Sequence, residues 1–318
     1  MTWSASPADE SGPDGRTGVD LIIDPGAEAA DHLAVRNFSN REITFAINAA
    51  DGYLTPTGRF NMIPSNKKSV DAGRWITVVE AVTVPAGEIR TVPFHVTVPP
   101  NASPGDHAAG IAASIRSQGG GEGAGKLNVE SRVGFRVMIR VTGSLQPQLE
   151  VQAHATFETS WNPFQPGAAD LVYVLQNTGN VRLSVTGSIA HDGVRIPDSD
   201  TEAGKAVDLL PGDTHEMTIH LPRLWPVGFV SLPLALDQSM AAPDGSEQRL
   251  APIARDVPLW AVPWPQLAIL VAVGLIVVGL FWGRRRQALS VARLVREAHE
   301  EGRRAGSAAK TERVEHHE

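Results

Sequence analysis

Residues 266–282 read QLAILVAVGLIVVGLFW, a run of seventeen residues without a charged side chain. The uncharged stretch extends from Val257 to Gly283 when the neighbouring residues are included. A helix from Pro265 to Gly283 would be about 28 Å long at 1.5 Å per residue, which matches a hydrocarbon core about 30 Å thick. The sequence therefore predicts one membrane-spanning helix, assigned to residues 259–283.

The flanking residues predict where this helix meets the lipid surface. Trp260 and Trp264 precede the apolar run and Trp282 closes it, as amphipathic rings at two lipid–water interfaces do. Three arginines follow at once: Arg284, Arg285 and Arg286. The positive-inside rule then places a short basic tail, residues 284–318, in the cytoplasm and the N-terminal part of the chain outside the cell. A buried core helix is the competing interpretation, but a core helix rarely lacks every polar residue and then meets three arginines.

An exported N-terminal part requires an export signal, and residues 1–16 (MTWSASPADESGPDGR) contain no apolar segment of that kind. We therefore expect the signal to have been removed or the start to have been assigned downstream of it. The inverted orientation is the alternative. It would keep an acidic domain in the cytosol and send an arginine-rich tail across the membrane.

Composition favours β-structure upstream of the helix. The chain has 30 Gly, 23 Pro and no Cys, and 42% of its residues are hydrophobic. Segments such as WITVVEAVTV, RTVPFHVTVP and VGFRVMIRVTG alternate in polarity between turn residues, as half-buried strands do. Residues 1–265 carry 19 Lys and Arg against 29 Asp and Glu, a net charge of −10, which disfavours a nucleic-acid partner.

A weak internal repeat predicts two related units. LAVRNFSNREITFAI around Asn37 is similar to LVYVLQNTGNVRLSVTG around Asn177, and both copies continue into a Pro-Gly turn and a strand. Gly and Pro between Val141 and Val151 mark the boundary. The fold class predicted is all-β, with two tandem Ig-like β-sandwich domains over residues 1–143 and 144–258, followed by the transmembrane helix and the tail.

The first unit resembles the WxL-interacting protein family. The residues that carry the resemblance are TWSASPAD, DLIIDPGAEAADHLAVRNFSN, GRWITV and VTVPAGEIRTVPFHVTVPPNASPGDHAAGI. The second unit, with NPFQPG, NTGNVRLS and LWPVG before WAVPWP, resembles the actinobacterial architecture of that family. The resemblance implies an Ig-like cell-surface domain that binds peptidoglycan, wall-associated proteins, or both.

The first copy of the repeat carries an insertion, DGYLTPTGRFNMIPSNKKSVDAGRW, which is too long for a hairpin loop. Its candidate ligand-binding residues are Tyr53, Lys67, Lys68, Arg74 and Trp75. Aromatic rings stack on sugar faces and basic side chains pair with the carboxylates of wall peptides. The alternative is that Trp75 opens a strand and belongs to the core, while Lys67 and Lys68 are an ordinary solvated pair.

The sequence predicts no enzyme, no metal site and no cofactor. It contains neither a zinc-binding HExxH pattern nor a GxSxG nucleophile motif, and its histidines are scattered.

In the tail, Leu289, Ala292 and Val295 recur at three-residue intervals. This pattern is typical of an amphipathic helix on the inner leaflet, of a partner-binding helix or of a solvated stop-transfer tail, and the sequence does not separate the three.

Together these observations predict a single-pass bacterial cell-membrane protein. Its expected function is to bind peptidoglycan or wall-attached surface proteins through extracellular Ig-like domains. The alternative is an assembly partner or transducer that captures another surface protein by strand-edge pairing and couples to the cytoplasmic tail.

Overall fold

The computed structural model describes residues 2–119, 127–191, 194–197, 206–242 and 246–315. These residues form twenty β-strands, a short 3₁₀ turn at Ala72–Arg74 and one α-helix. The strands are β1 Trp3–Asp9, β2 Gly12–Pro13, β3 Gly18–Ile23, β4 Glu28–Asn37, β5 Ile43–Leu54, β6 Phe60–Met62, β7 Ile76–Val78, β8 Ala81–Val84, β9 Ile89–Thr97, β10 Gly105–Gly119, β11 Leu127–Val141, β12 Leu149–Glu158, β13 Gly167–Asn177, β14 Leu183–His191, β15 Val194–Pro197, β16 Val207–Leu209, β17 Thr214–Leu224, β18 Gly228–Ala241, β19 Glu247–Arg249 and β20 Ile253–Ala261. The helix is α1, Trp264–Glu315. The predicted class, a mostly β chain with one C-terminal apolar helix, is confirmed.

Strands β1–β11 form a β-sandwich. One sheet has the order β2-β1-β4-β9-β7, and the other has the order β3-β11-β10-β5-β6 with β8 paired to β5. Alternate residues of both sheets point inward, so that Leu33 and Val35 of β4 meet Phe45 of β5 and Ile111 of β10 in one core. Burial of this row removes apolar surface from water, which is the dominant favourable term in folding.

Strands β12–β20 form two further sheets. The first has the order β12-β13-β17; the second has the order β15-β14-β18-β19, with β16 paired to β14 and β20 to β18. Leu171, Tyr173 and Leu175 alternate along β13 and are fully buried, as are Leu183 and Ile189 on β14. The two-residue period of burial is that of strands packed on one face.

The chain divides into two compact units. The first contains Met1–Thr156, Ala169–Pro222 and Val230–Leu259. The second contains Phe157–Ala168, Arg223–Phe229 and Trp260–Glu315, together with the last three residues of the chain. All the strands described above therefore contribute to the first unit, whereas the second combines two interstrand loops with α1.

The helix α1 begins at Trp264, not earlier, because Val257, Leu259 and Ala261 alternate with exposed residues and complete β20. The segment Trp264–Arg286 contains an 18-residue stretch with a mean hydropathy of 2.3, and no residue of that stretch is buried. By length and composition this segment can cross a membrane. The helix then continues without a break to Glu315.

Candidate functional site

Strand β11 has one fully paired side and one half-open side. Its pairing with β10 runs over the whole strand, from Gly105 opposite Val141 to Gly119 opposite Leu127. On the other side β3 pairs in parallel with residues 136–141 alone. Among the strands that the structure describes, none pairs with residues 127–135 on that side. This segment, which we call the open edge, therefore presents outward-facing backbone N–H and C=O groups without a strand partner.

The inward-facing side chains of β11 form an apolar row that begins in the core and continues into the open edge. Phe135, Val137 and Ile139 are buried on the inward face of β11. Val133 occupies the same face two residues earlier, yet it is 36% exposed. An apolar side chain at an unpaired edge is the arrangement that accepts a further strand.

The opposite face of the open edge is held in place by the insertion. Arg132 donates from Nη1 to the carbonyl oxygen of Ile63 at 3.0 Å, and the hydroxyl of Ser65 donates to the carboxylate of Glu130 at 2.5 Å. Both contacts are made by side chains, so they leave the backbone of the open edge free to pair.

The half of β11 that β3 covers ends in a buried ion pair. Arg140 donates from Nε and Nη2 to the two carboxylate oxygens of Asp106, at 2.6 and 2.7 Å. The same carboxylate accepts the backbone N–H of Arg182 at 2.7 Å, and Nη1 of Arg140 donates to the carbonyl oxygen of Ala241. The bidentate contact with Asp106 raises the pKa of Arg140 above its ordinary value, against the opposing effect of burial. The pair fastens the hairpin β10–β11 to the strands that follow it.

Asn180 makes a second set of hydrogen bonds close to this ion pair. Its side chain donates to the carbonyl oxygens of Pro104 and Ser144 at 2.8 and 2.9 Å and accepts the N–H of Gln146 at 2.7 Å. Its carbonyl oxygen accepts the N–H of Asp106 at 2.8 Å. A cavity of about 460 Å³ adjoins the ion pair and is lined by Asp20, Ile22, Asp106, Arg136, Arg140 and Arg182, among others.

The insertion is ordered by one carboxylate. Asp51 of β5 accepts the backbone N–H groups of Val70, Asp71 and Gly73, with the shortest distance 2.6 Å. A carboxylate that accepts several N–H donors fixes a loop as a helix cap does. Residues 69–74 are therefore closed onto β5 rather than extended into solvent.

Asp71 in turn binds His107 of β10. The carboxylate lies 2.9 Å from Nδ1 of His107, and Nε2 lies 2.9 Å from the carbonyl oxygen of Ser103. Burial lowers the pKa of His107, but the hydrogen bonds to Asp71 and Ser103 and the nearby negative charges outweigh it, so the pKa is above its ordinary value.

Four of the five candidate ligand-binding residues are exposed, and the fifth, Trp75, is half-buried. Trp75 is half-buried, packs on the core of the sandwich and lies 4.7 Å from the ring of His107. Tyr53 lines a cavity of about 290 Å³ that His107 also lines. Lys67, Lys68 and Arg74 are exposed. Their role in ligand binding stays a prediction.

The predicted membrane-interface residues lie at both ends of the apolar segment. Trp260 is the penultimate residue of β20, Trp264 begins α1, and both side chains are exposed. Trp282 is exposed one turn before Arg286, whose guanidinium lies 5.1 Å from the centre of its ring. Arg284 and Arg285 are exposed on the same helix.

Within the described part of the chain, no group of three or more His, Asp or Glu is placed to hold a metal ion.

The residues that sequence reasoning missed are Asp106, Arg140 and Val133. One signal was present: Arg132, Arg136 and Arg140 recur every fourth residue and therefore share one face of the strand.

With the geometry established, the chain can be compared with known proteins. No protein-family model matches it, and no curated protein matches it. The chaperone YadV is similar at a TM-score of 0.40 and 11% identity over 80% of this chain and 100% of that one. The class 5 fimbriae chaperone CfaA is similar at 0.41 and 9% identity over 80% and 99%. The SafB chaperone in complex with the SafA pilin from Salmonella enterica is similar at 0.39 and 12% identity over 81% and 98%. At these values the likeness assigns neither a function nor a partner to this chain.

The expected peptidoglycan-binding function is nevertheless wrong, and so is the expectation of a wall or wall-attached partner. The similar solved structures named above are chaperones, one of them in complex with a pilin. Of the two candidate aromatic rings, that of Trp75 packs on the core and on His107. The resemblance to the WxL-interacting family is untested and stays a prediction.

Proposed function

We propose that this protein is a membrane-anchored, non-enzymatic assembly partner that captures another protein by pairing a strand with the open edge of β11. In this proposal β1–β20 form two Ig-like domains on the outer side of the membrane, with the boundary between them near residue 143 as predicted from the sequence. The helix α1 crosses the bilayer, and its C-terminal part lies in the cytoplasm.

One observation carries the proposal: β3 pairs with residues 136–141 of β11 and stops short of residues 127–135. Natural sheets protect exposed edges with proline, lysine, bulges or covering loops, because an unprotected edge pairs with other chains. The open edge, LNVESRVGF, contains neither proline nor lysine, and Val133 is exposed beside it. Strand addition to such an edge gains affinity from main-chain hydrogen bonds and specificity from alternate side chains.

The other long edge strands carry residues that discourage pairing, and this difference supports the open edge of β11 as the one that captures a partner. Strand β12, at the edge of its sheet, carries Glu150, His154 and Glu158 at exposed alternate positions. Strand β17 contains Pro222 and β20 contains Pro258. These residues are the ones that discourage edge pairing.

The membrane anchor is supported by the apolar segment Trp264–Arg286, its exposed surface and the three arginines that end it. An exposed helix of this hydropathy is costly in water. Lipid removes that cost, and the arginines favour the cytoplasmic side for the C-terminal end.

Site-specific cross-linking tests the capture. A photoactivatable residue at Val133, in the full chain expressed in its own cells, is expected to form an adduct of one defined mass. Val79, which is 44% exposed on the turn between β7 and β8, is the matched control and should form none. The partner in the adduct is then identified, purified and added to the full chain, and amide hydrogen exchange is measured at residues 130–135.

Protection of those amides by the identified partner supports strand addition. An adduct whose partner leaves the amides of the open edge unprotected contradicts it. A complete absence of adducts at Val133, in cells that display the protein normally, contradicts it as well.

Orientation is tested separately by protease treatment of intact and lysed cells. The strands should be cleaved in intact cells, and the segment after Arg286 should be cleaved only after lysis. Cleavage of the strands in lysed cells alone would overturn the proposed placement.

A transducer is the second candidate, and one observation favours it. The helix α1 continues from the apolar segment to Glu315 without a break. A single helix therefore links the outer Ig-like domains to the tail. Removal of the residues after Arg286 should leave the adduct at Val133 intact in both cases. A downstream response lost on that removal identifies the transducer.

A further inference from the structure

The second compact unit carries a group of exposed apolar side chains that the open edge does not explain. They lie on the loop between β12 and β13, on the loop between β17 and β18 and the start of β18, near the end of β20, and at the start of α1. Each is 55–84% exposed: Trp161, Phe164, Trp225, Val227, Phe229, Trp260 and Trp264. We call this group the aromatic collar. A contiguous set of large exposed apolar residues in one compact unit marks an interaction surface.

The first of these loops contacts α1, and the strand that follows the second loop contacts β20 shortly before α1 begins. The side chain of Gln266 donates from Nε2 to the carbonyl oxygen of Pro163 at 2.9 Å. The ring of Phe229 lies 5.5 Å from the ring of Trp260, edge to face at 68°. The first loop is therefore held at the first turn of α1, and the second loop leads into a strand that packs on Trp260, four residues before α1.

The charge pattern points to lipid as the occupant. Across residues 157–168, 223–229 and 260–283 the only charged residues are Glu158 and Arg223. The remaining polar side chains of the loops are neutral, such as Asn162 and Gln165. Tryptophan among neutral polar groups is the composition that prefers the headgroup region, where one side of the ring meets acyl chains and the other meets water.

The loop between β12 and β13 is also closed on itself, as a segment in a poorly hydrated layer needs to be. The side chain of Asn162 accepts the N–H of Phe164 at 3.1 Å, and its carbonyl oxygen accepts the N–H of Gln165 at 3.1 Å. The hydroxyl of Ser160 accepts the N–H of Asn162 at 3.3 Å. Backbone donors that are satisfied internally lose little when water is scarce.

The spacing of the tryptophans along α1 predicts how deep the helix lies in the bilayer. Trp264 and Trp282 are separated by about 27 Å at 1.5 Å per residue, close to the thickness of the hydrocarbon core. Trp264 therefore lies at the outer interface when Trp282 lies at the inner one, and Gln266, which binds the first loop, lies two residues further along the helix.

We propose that the aromatic collar lies in the outer headgroup region of the bilayer that α1 crosses. The inference rests on the membrane-anchor part of the proposed function and is independent of strand capture. It turns a single helical tether into a three-point contact, because two loops and the helix meet the same interface.

The absence of cysteine from the sequence allows a direct test. Single cysteines replace Trp161, Val227, Ile276 and Val70, one at a time, and each carries an environment-sensitive fluorophore. Ile276 is in the middle of the apolar helix, and Val70 is an 81% exposed residue of the insertion. The full chain is reconstituted in phosphatidylcholine vesicles that contain lipids with a nitroxide quencher at a shallow or a deep position.

At Trp161→Cys and Val227→Cys we expect a blue shift of emission and the strongest quenching by the shallow nitroxide. At Ile276→Cys the deep nitroxide should quench most, and at Val70→Cys neither should quench. Phe164→Cys provides a second reporter on the first loop, so that failure of one variant to fold leaves the test intact.

The outcomes separate the two proposals. Deep quenching at residue 276 with no lipid quenching at 161 and 227 keeps the membrane anchor and overturns the collar. Absence of lipid quenching at residue 276 overturns the anchor and the collar together. If labels at 161 and 227 are shielded from an aqueous quencher but not reached by either nitroxide, a second copy or another protein covers the collar and the inference is wrong.

Discussion

Asn37 and Asn177 hold two equivalent turns closed by the same pattern of hydrogen bonds. Each side chain is fully buried. Asn37 donates to the carbonyl oxygens of Arg41 and Val84 at 2.7 and 3.0 Å, and Asn177 donates to those of Val181 and Leu209 at 2.8 and 3.0 Å. Each also accepts a backbone N–H from the residue two positions later. The internal repeat therefore extends from sequence to the atoms that close each turn.

Replacement of either asparagine by alanine should destabilise the protein strongly. Each Asn→Ala change leaves buried carbonyl groups and one N–H without a partner, and we expect a loss of about 3 kcal/mol in the free energy of unfolding. The measurement is urea unfolding of the full chain in detergent, followed by tryptophan fluorescence. Asn40→Ala, at an exposed position near Asn37, is the control and should change the free energy by less than about 0.5 kcal/mol. Equal effects of Asn37→Ala and Asn40→Ala would contradict the role of the buried turn.

The buried ion pair predicts a contrast between two arginines of one strand. The side chains of Arg140 and Asp106 are 10% and 6% exposed, so that Arg140→Ala leaves a buried carboxylate without its counter-ion. We expect a loss of about 3–5 kcal/mol in the free energy of unfolding. Arg136→Ala is the control, because Arg136 lies 3.9 Å from Asp20 and both are exposed, and it should cost less than about 1 kcal/mol.

The double variant Arg140→Ala with Asp106→Ala should recover part of that loss, since no buried charge remains. Additive losses in the double variant would show that the two side chains do not act as a pair. Added salt should change the stability of the wild type little at this site, because buried pairs are poorly screened.

His107 predicts a pH dependence of stability. Its pKa in the folded protein is raised, so the protonated ring and Asp71 stabilise the fold fully at pH values below the unfolded pKa of about 6.5. That contribution is lost as pH rises through the folded pKa. The difference in midpoint of thermal unfolding between wild type and His107→Gln should therefore be largest in acid and shrink toward alkaline pH. Asp71→Asn should reproduce the effect, and a difference that grows with pH would contradict the assignment.

Gly187 and Tyr173 predict a steric coupling. A Cβ atom at residue 187 would lie 1.9 Å from the hydroxyl oxygen of Tyr173, which is fully buried. Gly187→Ala should therefore lower the free energy of unfolding by about 1–3 kcal/mol through overpacking. In the background Tyr173→Phe the same change should cost less, because the hydroxyl that it meets is gone. A double-mutant cycle in urea measures this, and strict additivity would contradict the coupling.

Much of the fold could be predicted because its signals are local. Alternation along RTVPFHVTVP and VGFRVMIRVTG predicts strands, and both segments are strands, β9 and the end of β11. The uncharged run from residue 266 predicts an apolar helix, and α1 contains it. The start of that helix was harder to predict from the sequence, because the apolar residues Leu259 and Ala261 fit both a helix and the alternating pattern of β20.

The candidate site could not be predicted in the same way. The open edge exists because β3 pairs with residues more than a hundred positions away and stops at Arg136, and no local pattern encodes where a partner strand ends. Asp106 and Arg140 are separated by 34 residues and meet because the register of β10 and β11 places them opposite each other. Trp75 is a candidate for sugar stacking by residue type alone, and only the structure shows that its ring packs on the core.

The sequence by itself determined the elements: strands from a two-residue period, turns from glycine, proline and asparagine, and an apolar helix from an uncharged run. These depend on interactions within a few residues, which composition and spacing display directly. Only the tertiary structure decided which strand edge is left unpaired, which charges are buried together and which aromatic rings face outward. Those features depend on contacts between residues distant in the chain, whose register is set by the packing of the whole core.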